Sequence, residues 1–299
     1  AIIHAGYDPR PGTLMARLNV RGTVLAEEIC RDLDVPYKKC GSLVVAFSEE
    51  EMPTVRELYE RGLENGVLGM KILTGEEVRD LEPNLSEKIV GALYAPSAAI
   101  CSPWEYCLAM AETAVKNSAE LRLETKVTGV EKTGGGWLVK TDRGEFETKY
   151  VVNAAGVHCG DVHNMAAEPN FEIEPARGEY YLLDKSEGKR VGMTVFQCPS
   201  KLGKGVLVSP TVHGNLIVGP NAEPAEPDDT STTASGLKEV STAALRSVPG
   251  INFRDSIRNF AGVRANNNRG DFIIQWGAEG FLDLAGICSP GLSAAPAIG

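Results

Sequence analysis

The 299-residue chain has no apolar run close to the ~20 residues needed to cross a bilayer, so no membrane-spanning helix is expected. It has no Cys-x-x-Cys pair and no Cys/His group at metal-ligand spacing, and no metal site is expected. Its seven cysteines, at 30, 40, 101, 107, 159, 198 and 288, are scattered and odd in number. That favours reduced thiols in an intracellular protein over a disulfide framework. Basic residues are in deficit: 30 Lys and Arg against 40 Asp and Glu leave a net charge of −10. Such a surface argues against nucleic acid or an anionic membrane as the main partner, while still allowing a local basic pocket. Ala1-Ile2-Ile3-His4-Ala5-Gly6 shows neither a basic leader nor a cleavage signature, so no signal peptide is expected and the cytoplasm is the expected compartment. Internal repeats and low-complexity tracts are also missing.

What is present is an ordinary globular composition, 43% hydrophobic and 23% charged, long enough for one large core or two packed domains. Helical and β-rich patterns alternate, which reads as α/β with an α+β admixture. Residues 14–32 pattern as a helix with Leu14, Leu18, Leu25 and Ile29 on one face. Residues 41–47 form a short buried-type strand, 49–65 a helix stopped by Gly66, and 74–82 a helix ended by Pro83. Pro103 opens another helix running to Lys116. Strand-like runs at 121–130, 136–141 and 144–148 are joined by turn signals and read as a β-meander. Residues 149–155 read as a central parallel strand buried on both faces. The stretch 171–218 is strand-rich, 222–233 is a surface loop, and 235–248 is an amphipathic helix. Strands near 257–264, 271–276 and 281–287 then lead into a helix of small residues.

Four segments stand out for chemistry. Val151-Val152-Asn153-Ala154-Ala155-Gly156 ends a strand in small residues, where open α/β sheets let a bulky ligand approach the backbone. A tightly packed junction would read the same way. Leu284 to Ala295 runs from a strand through Ser289-Pro290-Gly291 into a helix whose first turn could face a partial negative charge; a plain turn is the alternative. Pro175-Ala176-Arg177-Gly178-Glu179-Tyr180 enters another strand. In Phe260-Ala261-Gly262-Val263-Arg264 an arginine sits on an apolar strand, which calls for a carboxylate, either structural or on an anionic substrate. His4 lies among small and apolar residues, where a structural histidine or a proton acceptor both fit. His158 follows the Ala-Ala-Gly turn, and His163 and His213 lie in polar surroundings; none is given a chemical role.

In this order the segments resemble the D-amino-acid-oxidase-like flavoenzymes over nearly the whole chain. The series runs from Ile3-His4-Ala5-Gly6-Tyr7 through Lys149 to Gly156, Arg177-Gly178-Glu179-Tyr180, Val208-Ser209-Pro210-Thr211 and Val218 to Ala222. Phe260 to Arg264 and Ala285 to Leu292 complete it. The branches it resembles most are FAD-dependent glycerol-3-phosphate dehydrogenases and L-2-hydroxyglutarate oxidases. The resemblance implies a Rossmann-like FAD-binding domain from 1–35, 100–168 and 265–299, and a mixed-sheet substrate domain from 36–99 and 169–264. It places His4 and Gly6 beside the flavin ring and Ala154, Ala155 and Gly156 along the FAD. It turns Gly291 and Leu292 toward the N1/O2 edge, gives Arg264 the substrate's anionic group, and makes Tyr180 and Thr211 pocket candidates. The implied reaction oxidises a hydroxyl-bearing carbon by hydride transfer to flavin while His4 takes the hydroxyl proton. Electrons would pass to a quinone, an electron-transfer protein or oxygen, in the cytoplasm or at the inner membrane face.

The departure from the family pattern is the glycine-rich turn that cradles the pyrophosphate: no G-x-G-x-x-G occurs anywhere, and Gly134-Gly135-Gly136 joins strand to strand. The sequence opens at the histidine loop and stops inside the final small-residue helix, which reads as a truncated FAD domain that binds FAD weakly or not at all. The expected substrate is glycerol 3-phosphate, with L-2-hydroxyglutarate or another 2-hydroxy acid as the alternative. A phosphate ester would favour further basic residues near Arg264, such as Arg269 or Lys204. A non-catalytic scaffold is the reading from a different class.

Overall fold

Helices and strands alternate along the chain in a computed structural model that describes residues 1–199 and 205–299. In chain order the first elements are β1 (Ile2–Ile3), α1 (Leu14–Asp32), β2 (Tyr37–Lys38), β3 (Ser42–Ala46), α2 (Met52–Glu64) and β4 (Lys71–Thr74). Next come α3 (Gly75–Leu81), β5 (Gly91–Ala95), β6 (Ala99–Cys101), α4 (Pro103–Lys116), β7 (Val127–Thr133), β8 (Gly136–Thr141) and β9 (Gly144–Thr148). They are followed by β10 (Val151–Asn153), α5 (Cys159–Ala166), β11 (Ile173–Leu183), β12 (Thr194–Gln197), β13 (Leu207–Pro210) and β14 (Leu216–Gly219). The last are β15 (Glu223–Pro224), α6 (Ala234–Ser247), β16 (Ser256–Asn267), β17 (Ile273–Ala278), β18 (Phe281–Ala285) and α7 (Gly291–Ile298).

Local chemistry explains several boundaries. α3 opens with a reciprocal capping box between Thr74 and Glu77, and Ser102 caps α4 just before Pro103. α1 is capped twice. Thr13 Oγ1 accepts the Ala16 N–H at 3.1 Å, while the Asp271 carboxylate, distant in sequence, accepts the Leu14 and Met15 N–H groups at 2.9 and 2.8 Å. An acidic group there also meets the positive end of the helix dipole.

The largest unit is a mixed sheet. β16 pairs with β11, whose other edge carries β14 and β15; the sheet then continues through β13, β12, β3, β5 and β4. The β12–β3 pair is parallel, and the other pairs are antiparallel. Strand alternation divides it into two faces. Leu43, Val45, Val195, Val208, Val218 and Leu183 pack with Val240 and Ala244 of α6 on one side. Val44 and Ala46 pack on the other with Val55 and Leu58 of α2 and with Ala5 and Tyr7 of the loop after β1. β3 is buried along its whole length because both faces are covered.

Two sequence expectations need correction. β10 is parallel to β18, as expected, but it is not central: among the described residues it pairs on one side only, and Tyr150 and Val152 are 67% and 57% exposed. The face that carries Val152 is therefore uncovered. The meander is present as β7–β8–β9, but it begins at Val127, and Leu121 and Leu123 lie exposed outside any strand. His163 has polar partners at both ring nitrogens, Asp283 and the Glu168 carbonyl, but lies in the interior. It is fully buried, with its ring 4.8 Å from that of Phe171 and Nδ1 2.8 Å from the Asp283 carboxylate. All seven cysteines are free, and no helix among the described residues is long and apolar enough to cross a membrane.

α1 and α7 cross in direct contact at Gly22. A Cβ there would come within 2.9 Å of the Ser293 carbonyl carbon and of Ala294 Cα, both backbone atoms that cannot swing aside. Gly22→Ala should therefore destabilise the protein by ~1–3 kcal/mol, although alanine is the better helix former by ~1 kcal/mol. Urea unfolding of both forms checks this; an unchanged or higher midpoint would show that α7 can move away at little cost.

Candidate functional site

The histidine loop is held from two sides. His4 donates its backbone N–H to Ser293 Oγ of α7 at 2.9 Å, and its carbonyl accepts Asn19 Nδ2 at 2.8 Å and Thr23 Oγ1 at 2.6 Å from α1. Both backbone groups being occupied, the direction of the imidazole is set by two helices that come together only in the fold. The ring lies 5.7 Å from that of Phe196 on β12. Gly6 has φ +109°, and a Cβ there would meet Val20 Cγ2 at 2.5 Å, so only glycine fits. Farther along the loop, Asn65 Nδ2 holds the Gly6 and Pro9 carbonyls at 2.9 and 2.8 Å, and Arg61 Nη1 holds that of Asp8 at 2.8 Å.

Two cavities flank His4. The smaller touches Gly6, Asn19 and Pro290; the larger, about 380 Å³ of open space, touches Val44, Leu58, Phe196 and Gln197. Asn19, which borders the first, is fully buried, and its Oδ1 has no hydrogen-bond partner among the described residues. A buried amide oxygen left without a donor costs about 1–3 kcal/mol, so this acceptor calls for a ligand N–H or a water.

Arg264 lies on the same sheet face as Phe196, as strand register and alternation require. Ala176 pairs with Arg264, Gly178 with Gly262, and Tyr180 with Phe260, so these side chains share one face, opposite Tyr181 and α6. The Tyr180 and Phe260 rings stack at 5.2 Å and 9°. The paired glycines leave a strip of bare backbone between this stack and Arg264. A Cβ on Gly178 would run into the Arg264 guanidinium, whereas Gly262 has open space above it. Among the described residues Arg264 meets no carboxylate. Its one polar contact is a long 3.5 Å hydrogen bond from Nη2 to the Asn221 carbonyl. Arg177, one strand over on the α6 side, is the opposite case: it pairs with Glu223 at 3.2 Å, with Asp229, and at 3.8 Å with the fully buried Glu179. Of the two arginines in the sequence motifs, Arg177 is paired with carboxylates and Arg264, among the described residues, is not.

A family model described as FAD dependent oxidoreductase matches residues 1–299. The chain belongs to that family. It is 50% identical over 301 residues to the glycerol 3-phosphate dehydrogenase of Caloramator mitchellensis, a match that covers 100% of this chain and 63% of that protein. The chain thus spans less than two thirds of that relative's length. It is 30% identical over 236 residues to mouse (Mus musculus) mitochondrial L-2-hydroxyglutarate dehydrogenase, covering 74% of this chain and 50% of that protein. In structure it matches an L-alpha-glycerophosphate oxidase of Mycoplasma pneumoniae, solved with FAD bound, with a TM-score of 0.93 and 31% identity. That likeness covers 99% of this chain and 80% of the oxidase.

The other motif residues of this flavoenzyme-family chain fall in varied places. Ala154, Ala155 and Gly156 follow β10 on the surface, and Gly156 has φ +61° with nothing near a hypothetical Cβ. Gly291 opens α7, but its N–H donates to the Cys288 carbonyl, so it is already engaged; Leu292 packs toward Ala26 and Tyr106. Thr211 lines neither cavity described above. It closes the β13–β14 turn, donating its N–H to the Asn215 carbonyl at 2.9 Å and accepting the Asn215 N–H on Oγ1 at 3.0 Å. Arg269 is hydrogen-bonded to Asn170 and Gln275, at 2.7 and 3.0 Å. Lys204 lies outside the described residues. The sequence reading missed Asn19 and Ser293. Asn19 could have been noticed as a polar residue on the buried face of α1 beside Leu18 and Gly22; Ser293, in a run of small residues, carries no such signal.

His158, after the Ala-Ala-Gly turn, bridges to Asp228 at 3.1 Å and Asp161 at 3.3 Å. These bonds, Asp228 first, raise its pKa above the ordinary 6.5. Raised in the fold, it stabilises fully below pH 6.5 and loses that contribution as pH rises through the raised value. Its side chain is 43% exposed, so solvent screening limits the effect to under ~1 kcal/mol. His158→Gln should thus lower stability at pH 6 more than at pH 8.5. Arg177→Met, which removes the countercharge of the buried Glu179 but leaves its hydrogen bonds from Thr233, should cost up to ~3–5 kcal/mol, whereas Arg264→Met should change stability little. Unfolding titrations of the three variants decide each point.

Proposed function

We propose that this chain carries the substrate-handling and ring-facing parts of an FAD-dependent glycerol-3-phosphate oxidoreductase. The observation that carries the reading is Arg264, a guanidinium without a carboxylate among the described residues, on the sheet face that also carries Phe196 under His4. Likeness to a glycerol 3-phosphate dehydrogenase along the whole chain and to a glycerophosphate oxidase fold supports it. In this reading residues 1–35, 100–168 and 265–299 form the FAD-binding part and the remainder the substrate part.

The residues fit a flavin ring at one end of the site. Asn19 Oδ1 lacks a donor in a cavity bordered by Gly6, which cannot carry a side chain, and a ring edge with an N–H would satisfy it. His4, Gly6, Gly291 and Leu292 would border the ring, and Ala154, Ala155 and Gly156 the rest of the cofactor. When bound, FAD would supply the two-electron acceptor for substrate oxidation and pass the electrons to a quinone, an electron-transfer protein or oxygen. Arg264 would hold the phosphate by charge-assisted hydrogen bonds, with Tyr180 forming the wall beside it. Thr211, closing its turn, would act on the pocket only through the backbone. His4, with its backbone fixed, would take the hydroxyl proton as general base. No glycine-rich turn is present to grip the pyrophosphate, so these 299 residues by themselves are expected to bind FAD weakly.

An absorbance scan near 450 nm with added FAD tests the last point; a stable flavin spectrum from this chain alone would contradict it. For the activity, the full-length protein with an artificial electron acceptor should be reduced by glycerol 3-phosphate. Arg264→Met should lower kcat/KM on the order of 100-fold, the loss of ~2–3 kcal/mol of charged hydrogen bonding, and His4→Ala should mainly lower kcat. Reduction by L-2-hydroxyglutarate alone would favour the second reading, which the mouse relative supports. No turnover with either would favour a non-catalytic scaffold.

A further inference from the structure

A long side chain that must be ordered when a ligand binds gives up affinity, and one ordered beforehand does not. Among the described residues no carboxylate orders Arg264, whose polar contact is the 3.5 Å bond from Nη2 to the Asn221 carbonyl. What else holds it is the shape of the sheet beneath it. Gly178 lies inside β11, in unbroken register with Gly262 of β16, and its φ is outside the left-handed region. Its backbone therefore suits any residue, while glycine in a strand interior sacrifices entropy and packing. The space above it is what excludes a side chain. A Cβ on Gly178 would stand 3.0 Å from Arg264 Cζ, closer still to Nη2, and 2.8 Å from Pro220 Cβ. Gly262, its pair, has nothing within 4 Å of the same position.

The guanidinium thus rests on the bare backbone of the neighbouring strand. Ala176 is the residue opposite Arg264, so Gly178 is its diagonal neighbour, within reach of a long side chain. The far end of this seat is built by the chain that leaves β14. That strand pairs with the other edge of β11, and Pro220 and Asn221 follow it directly. Asn221 is buried, and its Oδ1 accepts the Glu179 N–H at 2.9 Å. The residue whose carbonyl meets Nη2 is therefore tied to the strand that carries Gly178. Arg264 reaches across β11, with Gly178 as the floor and Pro220 and Asn221 as the end wall.

We propose that Gly178 is a positioning residue for Arg264: its bare backbone seats the guanidinium against Pro220 and Asn221, so that the fork is ordered before an anionic substrate arrives. This rests on the function proposed above, in which Arg264 holds the phosphate. A guanidinium suits such a seat because it is planar and carries its N–H donors around its rim, where an anion can meet them.

The test is a double-mutant cycle on the FAD-loaded full-length protein: wild type, Gly178→Ala, Arg264→Met and the double variant. Each is measured for kcat and KM with glycerol 3-phosphate, for the Kd of inorganic phosphate, and for its urea midpoint. Gly178→Ala should raise KM and the phosphate Kd roughly three- to tenfold, the cost of ordering one rotamer-rich side chain on binding, and leave kcat nearly unchanged. In the Arg264→Met background the same methyl should change kcat/KM and Kd less than about twofold, because the group it displaces is gone. Equal losses in both backgrounds would show that the methyl acts through Pro220 or the sheet, and an unchanged KM and Kd in Gly178→Ala would show that the guanidinium needs no seat. Either result overturns the proposal. Should Gly178→Ala fail to fold, the double variant decides. Folding regained once Arg264 is truncated supports the seat, and failure of both assigns the conflict to Pro220 and overturns it. Wild type inactive on glycerol 3-phosphate, or Arg264→Met with unchanged KM and Kd, would overturn the proposed function itself. An active wild type that loses binding in Arg264→Met but not in Gly178→Ala removes only the role of Gly178.

Discussion

The contact between α1 and α7 at Gly22 allows the rest of the site to exist. With no side chain at Gly22, the α7 backbone lies against α1, bringing Ser293 to the His4 N–H while Asn19 and Thr23 hold the His4 carbonyl. A loop of small residues would otherwise be free to turn its histidine in many directions. Its conformational entropy is removed by hydrogen bonds to two helices at opposite ends of the sequence. The same loop is tied to α2 by Asn65 and Arg61. Three helices thus aim one imidazole across a cavity at the face of a sheet.

That face is organised by strand register. Because β11 and β16 pair without a slip from Ile173 to Leu182, Arg264, the two paired glycines and the Tyr180–Phe260 stack emerge together. A one-residue shift would send Arg264 toward α6, into the region where Arg177 is neutralised by three carboxylates. The contrast between the two arginines is therefore a matter of side. On the α6 face a buried guanidinium must be paired, and the loop before α6 supplies Asp229. On the other face the guanidinium is half-buried and keeps its charge available.

Much of the architecture could be read from the sequence where local signals were strong. The helices 14–32 and 103–116 and the strands 136–141 and 144–148 coincide with the observed elements, since periodicity, caps and glycine turns all agree there. The pattern misled at residues 149–155: an apolar run describes what a strand can bury, not what is present to bury it, and among the described residues β10 has a partner on one side only. Thr211 looked like a pocket residue in a motif, but its hydroxyl accepts a hydrogen bond inside the next turn. His163 keeps polar partners at both ring nitrogens, but its place in the interior beside Phe171 and Phe281 was not legible in its sequence neighbours.

The sequence by itself determined the order of the motifs, and with it the family, because residue types at fixed positions survive without coordinates. It also determined that the glycine-rich pyrophosphate turn is absent from these residues. Which arginine meets carboxylates, and the pinning of the His4 backbone, were decided by the tertiary structure. Each of these depends on groups 15 to 289 residues apart, and no local propensity encodes a distance of that kind.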